Sequence, residues 1–142
     1  ALGCFWGPEI KFGKLEGIKK TEVGYCGGNS NRTTYEEVCS GNTNHAEVVR
    51  LEFDPKKISY EKILQYFFEI HDPTTLNAQG PDIGTQYRSE IFYVNENQKK
   101  IAKKIIEEKN KKLSGKVVTN LSLLKNYCTA EDYHQKYLEK KI

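Results

Sequence analysis

The chain has 142 residues, of which 37% are hydrophobic and 29% charged, so it is long enough for one domain, residues 1–142, with its own core. The formal net charge of +3 is small, and the lysines between Lys99 and Lys112 favour a solvated helix face over a nucleic-acid site. The sequence shows no signal peptide and no run of about 18 apolar residues that could span a membrane. Its four cysteines lack a C-x-x-C pair, which argues against a disulfide framework or a zinc site. We therefore expect no metal and a reducing, cytoplasmic location.

The first seven residues place a cysteine beside glycine and two large aromatic side chains. Pro8 favours the first turn of a helix, and Gly17 is placed to end that helix. Cys4 is therefore predicted at or just before a helix N-terminus, where free N–H groups and the helix dipole favour a thiolate. The two aromatic residues after it would offer an apolar wall to an uncharged group. We predict a sulfur nucleophile; the alternative is a buried structural cysteine.

The rest of the chain alternates strand and helix patterns without internal repeats. The predicted elements are, in chain order, a strand at 21–25, a short helix between Thr34 and Gly41, a strand at 45–53, a helix at 60–70, a strand at 89–94, a lysine-rich helix at 95–113, a strand at 117–124 and a short helix from about Thr129. A polar loop lies between residues 71 and 86. Loops of this length without secondary structure are usually functional or disordered.

The strand predicted at residues 45–53 carries an acidic residue on its apolar side. Side chains alternate across a sheet, so Glu47 shares a face with Val49, whereas Arg50 and Glu52 lie on the opposite face. An unpaired carboxylate among apolar side chains is desolvated, which raises its pKa and can keep it protonated near neutral pH, as a general acid requires. The alternative is that Glu47 lies at the rim of the sheet and stays solvated.

The order of the elements predicts an α+β fold. A βαβ unit followed by an antiparallel return begins a ferredoxin-like plait, which has two layers, with a mixed, mainly antiparallel sheet flanked by helices. In that plait the first and third strands are antiparallel neighbours. Cys4 at the end of the first strand and Glu47 at the start of the third would then share one edge of the sheet. A thiolate and a protonated carboxylic acid in one pocket suit attack by sulfur on an electrophile whose leaving oxygen must be protonated.

Seven short motifs then occur in order along the chain. They are GCFWG at residues 3–7, GYCGG at 24–28, YEEVCSG at 35–41, HAE at 45–47, HDP at 71–73, GTQYRS at 84–89 and AEDYHQ at 130–135. With these motifs the chain resembles the A-type peptide methionine sulfoxide reductases. The resemblance covers nearly its whole length.

The resemblance implies roles for the chemically active residues. Cys4 would attack the sulfur of methionine-S-sulfoxide, free or in proteins, and become a sulfenic acid as methionine leaves. Glu47 would protonate the sulfoxide oxygen. The hydroxyls of Tyr35 and Tyr87 would donate hydrogen bonds to that oxygen as it gains negative charge. Such an enzyme would serve protein repair under oxidative stress.

The resemblance also implies how the substrate is held. Phe5 and Trp6 would hold the methyl group next to the sulfoxide, Asp82 would position the substrate, and His134 and Tyr137 would line the same pocket. Without the family pattern, Phe5 and the tyrosines would be interpreted as packing residues and Asp82 as a turn residue. A rigid site with a methyl pocket, oxygen donors and one line of attack would accept a single epimer.

The chain departs from the family pattern in the residues that would regenerate the cysteine. Many relatives carry one or two resolving cysteines in a C-terminal tail, whereas residues 136–142 contain none. Cys39 is interpreted as structural, and Cys128 has no motif that places it near the nucleophile. In the predicted plait, Cys26 would lie about 10 Å from Cys4, at two inter-strand spacings. A disulfide needs Cα atoms closer than about 7 Å.

We therefore expect an external thiol to resolve the sulfenic acid, with glutathione and glutaredoxin favoured over thioredoxin and with no bound cofactor. Some tail-less relatives carry selenocysteine where this chain has Cys4. Two alternatives remain: a thiol redox sensor, in which a partner reads the oxidation of Cys4, and a non-catalytic binder of oxidised methionine. Neither alternative requires the nucleophile, the acid and the oxygen donors together. We expect a monomer with no nucleic-acid or membrane partner.

Overall fold

The computed structural model describes residues 1–140; the last two residues of the predicted C-terminal segment lie outside the described residues. The helices are α1 (Trp6–Gly13), α2 (Tyr35–Cys39), α3 (Tyr60–Glu69), α4 (Glu96–Lys112) and α5 (Tyr137–Lys140). The strands are β1 (Ile18–Cys26), β2 (Ala46–Phe53), β3 (Ala78–Gln79), β4 (Asp82–Ile83), β5 (Glu90–Tyr93), β6 (Asn120–Leu123) and β7 (Cys128–Thr129). Two 3₁₀ turns lie at Thr85–Tyr87 and Asp132–His134. Within residues 1–140, no helix has the length and apolar character that crossing a membrane requires.

The main sheet joins strands that are distant in sequence. Strand β1 lies in the middle, with β2 and β7 on either side and antiparallel to it. Strands β5 and β6 form a parallel pair, and β3 and β4 form a short antiparallel hairpin. This mixed, mainly antiparallel pairing and the packed helices confirm the predicted α+β class. The ferredoxin-like plait stays a prediction.

The residues before Cys4 do not pair with β2 as the first strand of the predicted plait would. They make a single antiparallel bridge, between Leu2 and Ser89, and it is β1 that pairs with β2. The turn into α1 brings Cys4 towards β2 instead. In this turn the backbone N–H of Phe5 donates a hydrogen bond to the side chain of Glu47.

Two apolar clusters hold the helices against the sheet. Ser59 caps α3 by accepting the Lys62 N–H at 3.0 Å, and the helical spacing of the apolar residues that follow turns one face of α3 inward. The buried members of the first cluster on α3 and α4 are Ile63, Leu64, Phe67, Phe68, Ala102 and Ile105. The second cluster lies beneath the start of α1 and consists of Phe5, Val23, Tyr25, Val38 and Ala130.

Several predicted elements have different bounds in the structure, the most informative of which are these. Helix α1 ends at Gly13, before the predicted stop at Gly17, and the 71–86 loop contains the β3–β4 hairpin. The short helix predicted from about Thr129 begins later, with the 3₁₀ turn at Asp132–His134 and then α5, because Thr129 pairs with Gly24 as part of β7. A Cβ atom on Gly24 would lie 2.7 Å from the carbonyl oxygen of Cys128, so the missing side chain lets β7 approach β1.

Candidate active site

Cys4 lies in the turn that leads into α1. Phe5 is the N-cap residue, so the thiol lies one position before the cap, as the sequence predicted. Burial raises the pKa of Cys4 to about 11, and the charges of Glu47 and Asp82 add to this rise, while the Trp6 backbone N–H opposes it. The predicted thiolate is therefore wrong for the free protein. The loss of hydration outweighs the helix-terminal N–H.

Glu47 is the second residue of β2 and faces inward beside Tyr25 of β1. It is 1% exposed, which confirms its predicted place on the apolar face and excludes the solvated rim. The Phe5 N–H donates to its Oε1 at 3.2 Å, while its buried Oε2 has no hydrogen-bond partner among residues 1–140. Burial raises the pKa of Glu47 to about 7, with Asp82 adding to the rise and the Phe5 N–H opposing it. Glu47 can therefore hold a proton near neutral pH and give it away.

Trp6 forms a half-buried aromatic wall at the start of α1. Its ring stacks on Tyr137, with centroids 3.9 Å apart and an interplanar angle of 13°. Its Nε1–H donates to Nδ1 of His134 at 3.0 Å. Phe5 is 1% exposed and packs against Tyr25. Solvent therefore reaches Trp6, while Phe5 packs in the core.

His134 connects the aromatic residues of the site. It is 1% exposed, and its ring centroid lies 5.3 Å from that of Phe5, 5.6 Å from Trp6 and 4.4 Å from Tyr35. Burial lowers the pKa of His134, although the Glu131 carboxylate opposes this shift. The ring is therefore neutral at pH 7. Since Nδ1 accepts from Trp6, we assign the ring proton to Nε2.

Tyr35 and Tyr87 supply hydroxyl groups from two different elements. Tyr35 begins α2, and Tyr87 ends the first 3₁₀ turn. Burial raises the pKa of Tyr35, and it raises that of Tyr87 to about 12, with neighbouring acidic groups adding to both shifts. Both hydroxyls therefore keep their protons and can donate hydrogen bonds at neutral pH.

Cys39 is next to both tyrosines. Its thiol interacts electrostatically with Tyr35 and Tyr87, which both act to lower the pKa that burial raises, and its side chain is exposed. The interpretation of Cys39 as structural stays a prediction, and the structure adds that Cys39 lies close to residues of the candidate site. The sequence contained a signal for this proximity. Cys39 comes four positions after Tyr35, and residues four apart in a helix lie on the same face.

Asp82 reaches the same group of residues from the β3–β4 hairpin. It is half-buried on β4, and its charge raises the pKa of Cys4, Glu47 and Tyr87. The Asp82 carboxylate is therefore within electrostatic range of the thiol, the buried acid and a phenol. The 71–86 loop thus contributes to the site.

The C-terminal motif at residues 130–135 contains two residues to which the sequence assigned no role. Glu131 accepts hydrogen bonds from the Tyr25 hydroxyl at 2.8 Å and from the Tyr35 backbone N–H at 2.9 Å. Gln135 accepts from the Val23 N–H through Oε1 at 2.9 Å and donates to the Val23 carbonyl through Nε2 at 2.9 Å. Gln135 thus holds the segment against β1 in the way that a neighbouring strand would. Polarity alone did not distinguish these residues from solvated ones.

All nine predicted site residues are linked by contacts or by electrostatic interactions. They are Cys4, Phe5, Trp6, Tyr35, Glu47, Asp82, Tyr87, His134 and Tyr137. A thiol, a buried carboxyl group with a pKa near neutrality and phenolic donors form the kind of site found in thiol-based enzymes.

Comparisons with known proteins identify the kind of enzyme. The family profile for peptide methionine sulfoxide reductase matches residues 1–142. The chain is 74% identical over 140 residues to the peptide methionine sulfoxide reductase of Pelagibacter ubique, covering 99% of this chain and 95% of that one. The chain belongs to the peptide methionine sulfoxide reductase family and is an oxidoreductase acting on methionine sulfoxide.

Solved structures resemble the fold closely. Reduced Mxr1 from Saccharomyces cerevisiae superposes with a TM-score of 0.94 at 42% identity, over 99% of this chain and 82% of that one. The same yeast protein in complex with Trx2 matches with a TM-score of 0.67 at 30% identity, over 96% of this chain and 80% of that one. The family match favours an enzyme over the redox sensor and the non-catalytic binder.

Proposed function

We propose that this enzyme reduces methionine-S-sulfoxide, free or in proteins, with Cys4 as the nucleophile and Glu47 as the proton donor. The observation that carries the proposal is the buried Glu47, whose Oε1 accepts from the residue that follows Cys4 while its Oε2 lacks a partner among the described residues. As the Cys4 sulfur bonds to the sulfoxide sulfur, Glu47 protonates the sulfoxide oxygen and takes up the thiol proton of Cys4, so that Glu47 ends protonated. The S–O bond of the substrate and the new S–S bond then break, the hydroxyl ends on Cys4 as a sulfenic acid, and methionine leaves. Cys4 is oxidised by two electrons and the substrate sulfur is reduced by two.

The surrounding residues account for substrate orientation. We assign the methyl group next to the sulfoxide sulfur to Trp6 together with Phe5 behind it, and the sulfoxide oxygen to the hydroxyls of Tyr35 and Tyr87. Asp82, whose charge acts on Cys4, Glu47 and Tyr87, orients the substrate. A tetrahedral sulfoxide held at the methyl, the oxygen and the attacked sulfur presents one epimer correctly, since exchanging two substituents moves the oxygen away from its donors.

Turnover of the two epimers tests this function directly. We expect the enzyme to reduce a methionine-S-sulfoxide substrate with dithiothreitol as the reductant and to leave the R epimer unchanged. Equal rates on both epimers would contradict the three-point site. An absence of turnover on both would contradict the proposed reaction.

Replacing Trp6 by alanine is expected to weaken recognition of the methyl group. Removing the apolar face should lower kcat/KM by roughly 10- to 200-fold, about 1–3 kcal/mol of transition-state binding, mainly through a higher KM. Trp6→Phe keeps an apolar ring and is expected to retain most of the activity. Steady-state kinetics of the three proteins checks the prediction, and unchanged kinetics of Trp6→Ala would return Trp6 to a packing role.

Recycling of the oxidised cysteine is expected to use an external thiol. Cys26 is fully buried, and its thiol hydrogen-bonds to the Lys125 carbonyl at 3.2 Å, so it cannot reach Cys4 without a rearrangement of β1. The yeast relative was solved with Trx2, which supports a thiol reductant for this family. We propose glutathione and glutaredoxin as the preferred pair here, with thioredoxin as the alternative, acting on a cytoplasmic monomer.

One turnover without reductant distinguishes recycling by an external thiol from recycling by an internal disulfide. Mass spectrometry should find Cys4 as a sulfenic acid, or as a glutathione adduct when glutathione is present. The exposed Cys39 beside the tyrosines is the internal competitor, and Cys39→Ser is the control. A Cys4–Cys39 peptide pair at near-stoichiometric yield, lost in that variant, would overturn external recycling.

A further inference from the structure

Glu131 joins three separate parts of the structure through one carboxylate. Its Oε1 accepts from the hydroxyl of Tyr25, on β1, at 2.8 Å. Its Oε2 accepts from the backbone N–H of Tyr35, at the start of α2, at 2.9 Å. Glu131 itself lies between β7 and the second 3₁₀ turn. A single side chain therefore links the C-terminal segment, the main sheet and the helix that carries Tyr35.

Helix α2 depends on such an anchor because it has only five residues. Isolated helices of this length are unstable in water, and their first N–H groups have no partner within the helix. Thr34 satisfies the Glu37 N–H at 3.2 Å, and Glu131 satisfies the Tyr35 N–H. A carboxylate is also the group that the positive end of a helix favours. The position of the first residue of α2 is thus set by Glu131.

The other oxygen of Glu131, Oε1, accepts from a side chain that is held in the core. Tyr25 is fully buried and lies directly opposite Glu47 in the β1–β2 register. Gln135 fixes the same C-terminal segment to β1 through both of its amide atoms. Tyr35 is therefore positioned relative to β1 and β2, the strand pair that also carries Glu47.

We propose that Glu131 is a positioning residue that fixes the Tyr35 hydroxyl relative to Glu47, so that donor and acid meet the same substrate oxygen. This inference rests on the role proposed above for Tyr35. Burial acts to raise the pKa of Glu131, but hydrogen bonds from Tyr35, its own backbone N–H and Tyr25 outweigh this and hold the pKa below its usual range. Glu131 is thus ionised at pH 7 and accepts from both donors.

Two conservative substitutions separate the reach of the side chain from its charge. In Glu131→Gln the carbonyl oxygen can still accept from the Tyr35 N–H, and the amide can donate to the Tyr25 hydroxyl, which turns to accept. Glu131→Asp keeps the charge but is one methylene shorter and cannot span both partners. We expect Gln to stay within about threefold of the parent in kcat, and Asp to lose roughly tenfold or more with little change in KM. The opposite ranking would show a role of the charge and would overturn the proposal.

A double-mutant cycle with Tyr35→Phe tests the coupling. Without the hydroxyl there is nothing to position, so Glu131→Asp should lower kcat far less in the Tyr35→Phe background than in the parent. Equal losses in both backgrounds would mean a general structural role and would overturn the inference. Circular dichroism and thermal melts check that each variant folds, and Glu36→Gln, at an exposed carboxylate of α2, is the matched control.

Failure of the inference can be told from failure of the proposed function. An inactive parent enzyme on the S epimer would reject the function. An active parent with additive Glu131 and Tyr35 effects would reject only the positioning role, and an active parent with an unaffected Tyr35→Phe variant would reject it together with the assignment of Tyr35 as a donor.

Discussion

Replacing Cys4 by serine is expected to abolish methionine sulfoxide reduction and to leave the fold intact. A serine hydroxyl ionises far less readily than a thiol and forms no sulfenic acid, so the rate should fall by several orders of magnitude, to background. Cys4 is only partly buried and belongs to neither apolar cluster, so the similar size of serine should preserve the turn into α1. Turnover of the S epimer with dithiothreitol measures the effect.

A second cysteine provides the matched control for this experiment. Cys128 lies at the start of β7, and its thiol contacts the Thr33 carbonyl oxygen at 3.7 Å. Cys128→Ser makes the same chemical change outside the reacting group and should retain activity. Substantial residual turnover in Cys4→Ser would mean that another group is the nucleophile.

Replacing Glu47 by glutamine is expected to lower kcat/KM by about 10²–10⁴-fold, the usual worth of general acid catalysis. Glutamine has nearly the same shape and can still accept the Phe5 N–H, but it has no proton to transfer to the sulfoxide oxygen. Melting curves should show a folded variant. A glutamine variant within about threefold of the parent would remove Glu47 from the mechanism.

The pH profile adds a signature that only a titrating acid produces. Since the pKa of Glu47 is raised to about 7, its proton is lost as pH rises through 7, and kcat/KM should lose the contribution of the acid above that point. The pKa of Cys4 near 11 means that the thiolate fraction of the free enzyme rises with pH throughout this range. The parent profile combines both limbs, whereas Glu47→Gln should lack the falling limb near pH 7.

The free energy of unfolding should also depend on the ionisation of the Glu47 carboxyl group. The pKa of Glu47 rises from the ordinary glutamate value of 4.5 to about 7 on folding, so between these values the folded state holds a proton that the unfolded state releases. The contribution of Glu47 to the free energy of unfolding therefore falls as pH rises through this window. In Glu47→Gln this contribution is absent, and denaturant titrations at pH 5 and pH 8 compare the two proteins.

Local patterns predicted several features that the structure confirms. The period-two alternation of the second long strand placed Glu47 on the buried face, and the residues around Cys4 predicted a helix start. The prediction of a thiolate failed because it used the local N–H groups and ignored the loss of hydration. The proximity of Cys39 to Tyr87 was not predicted, because Tyr87 belongs to a separate element that only the packed structure brings next to α2.

The sequence by itself determined the candidate reactive groups, most of the elements that carry them and the family to which they point. These follow from residue type, spacing and helix or strand periodicity, which are local properties of the chain. Only the tertiary structure decided how the groups are held. Trp6 and His134 are 128 positions apart, and Tyr25 and Glu131 are 106 apart. Both hydrogen bonds exist because the C-terminal segment packs against β1, and the burial that sets the pKa values of Cys4 and Glu47 arises from the same long-range packing.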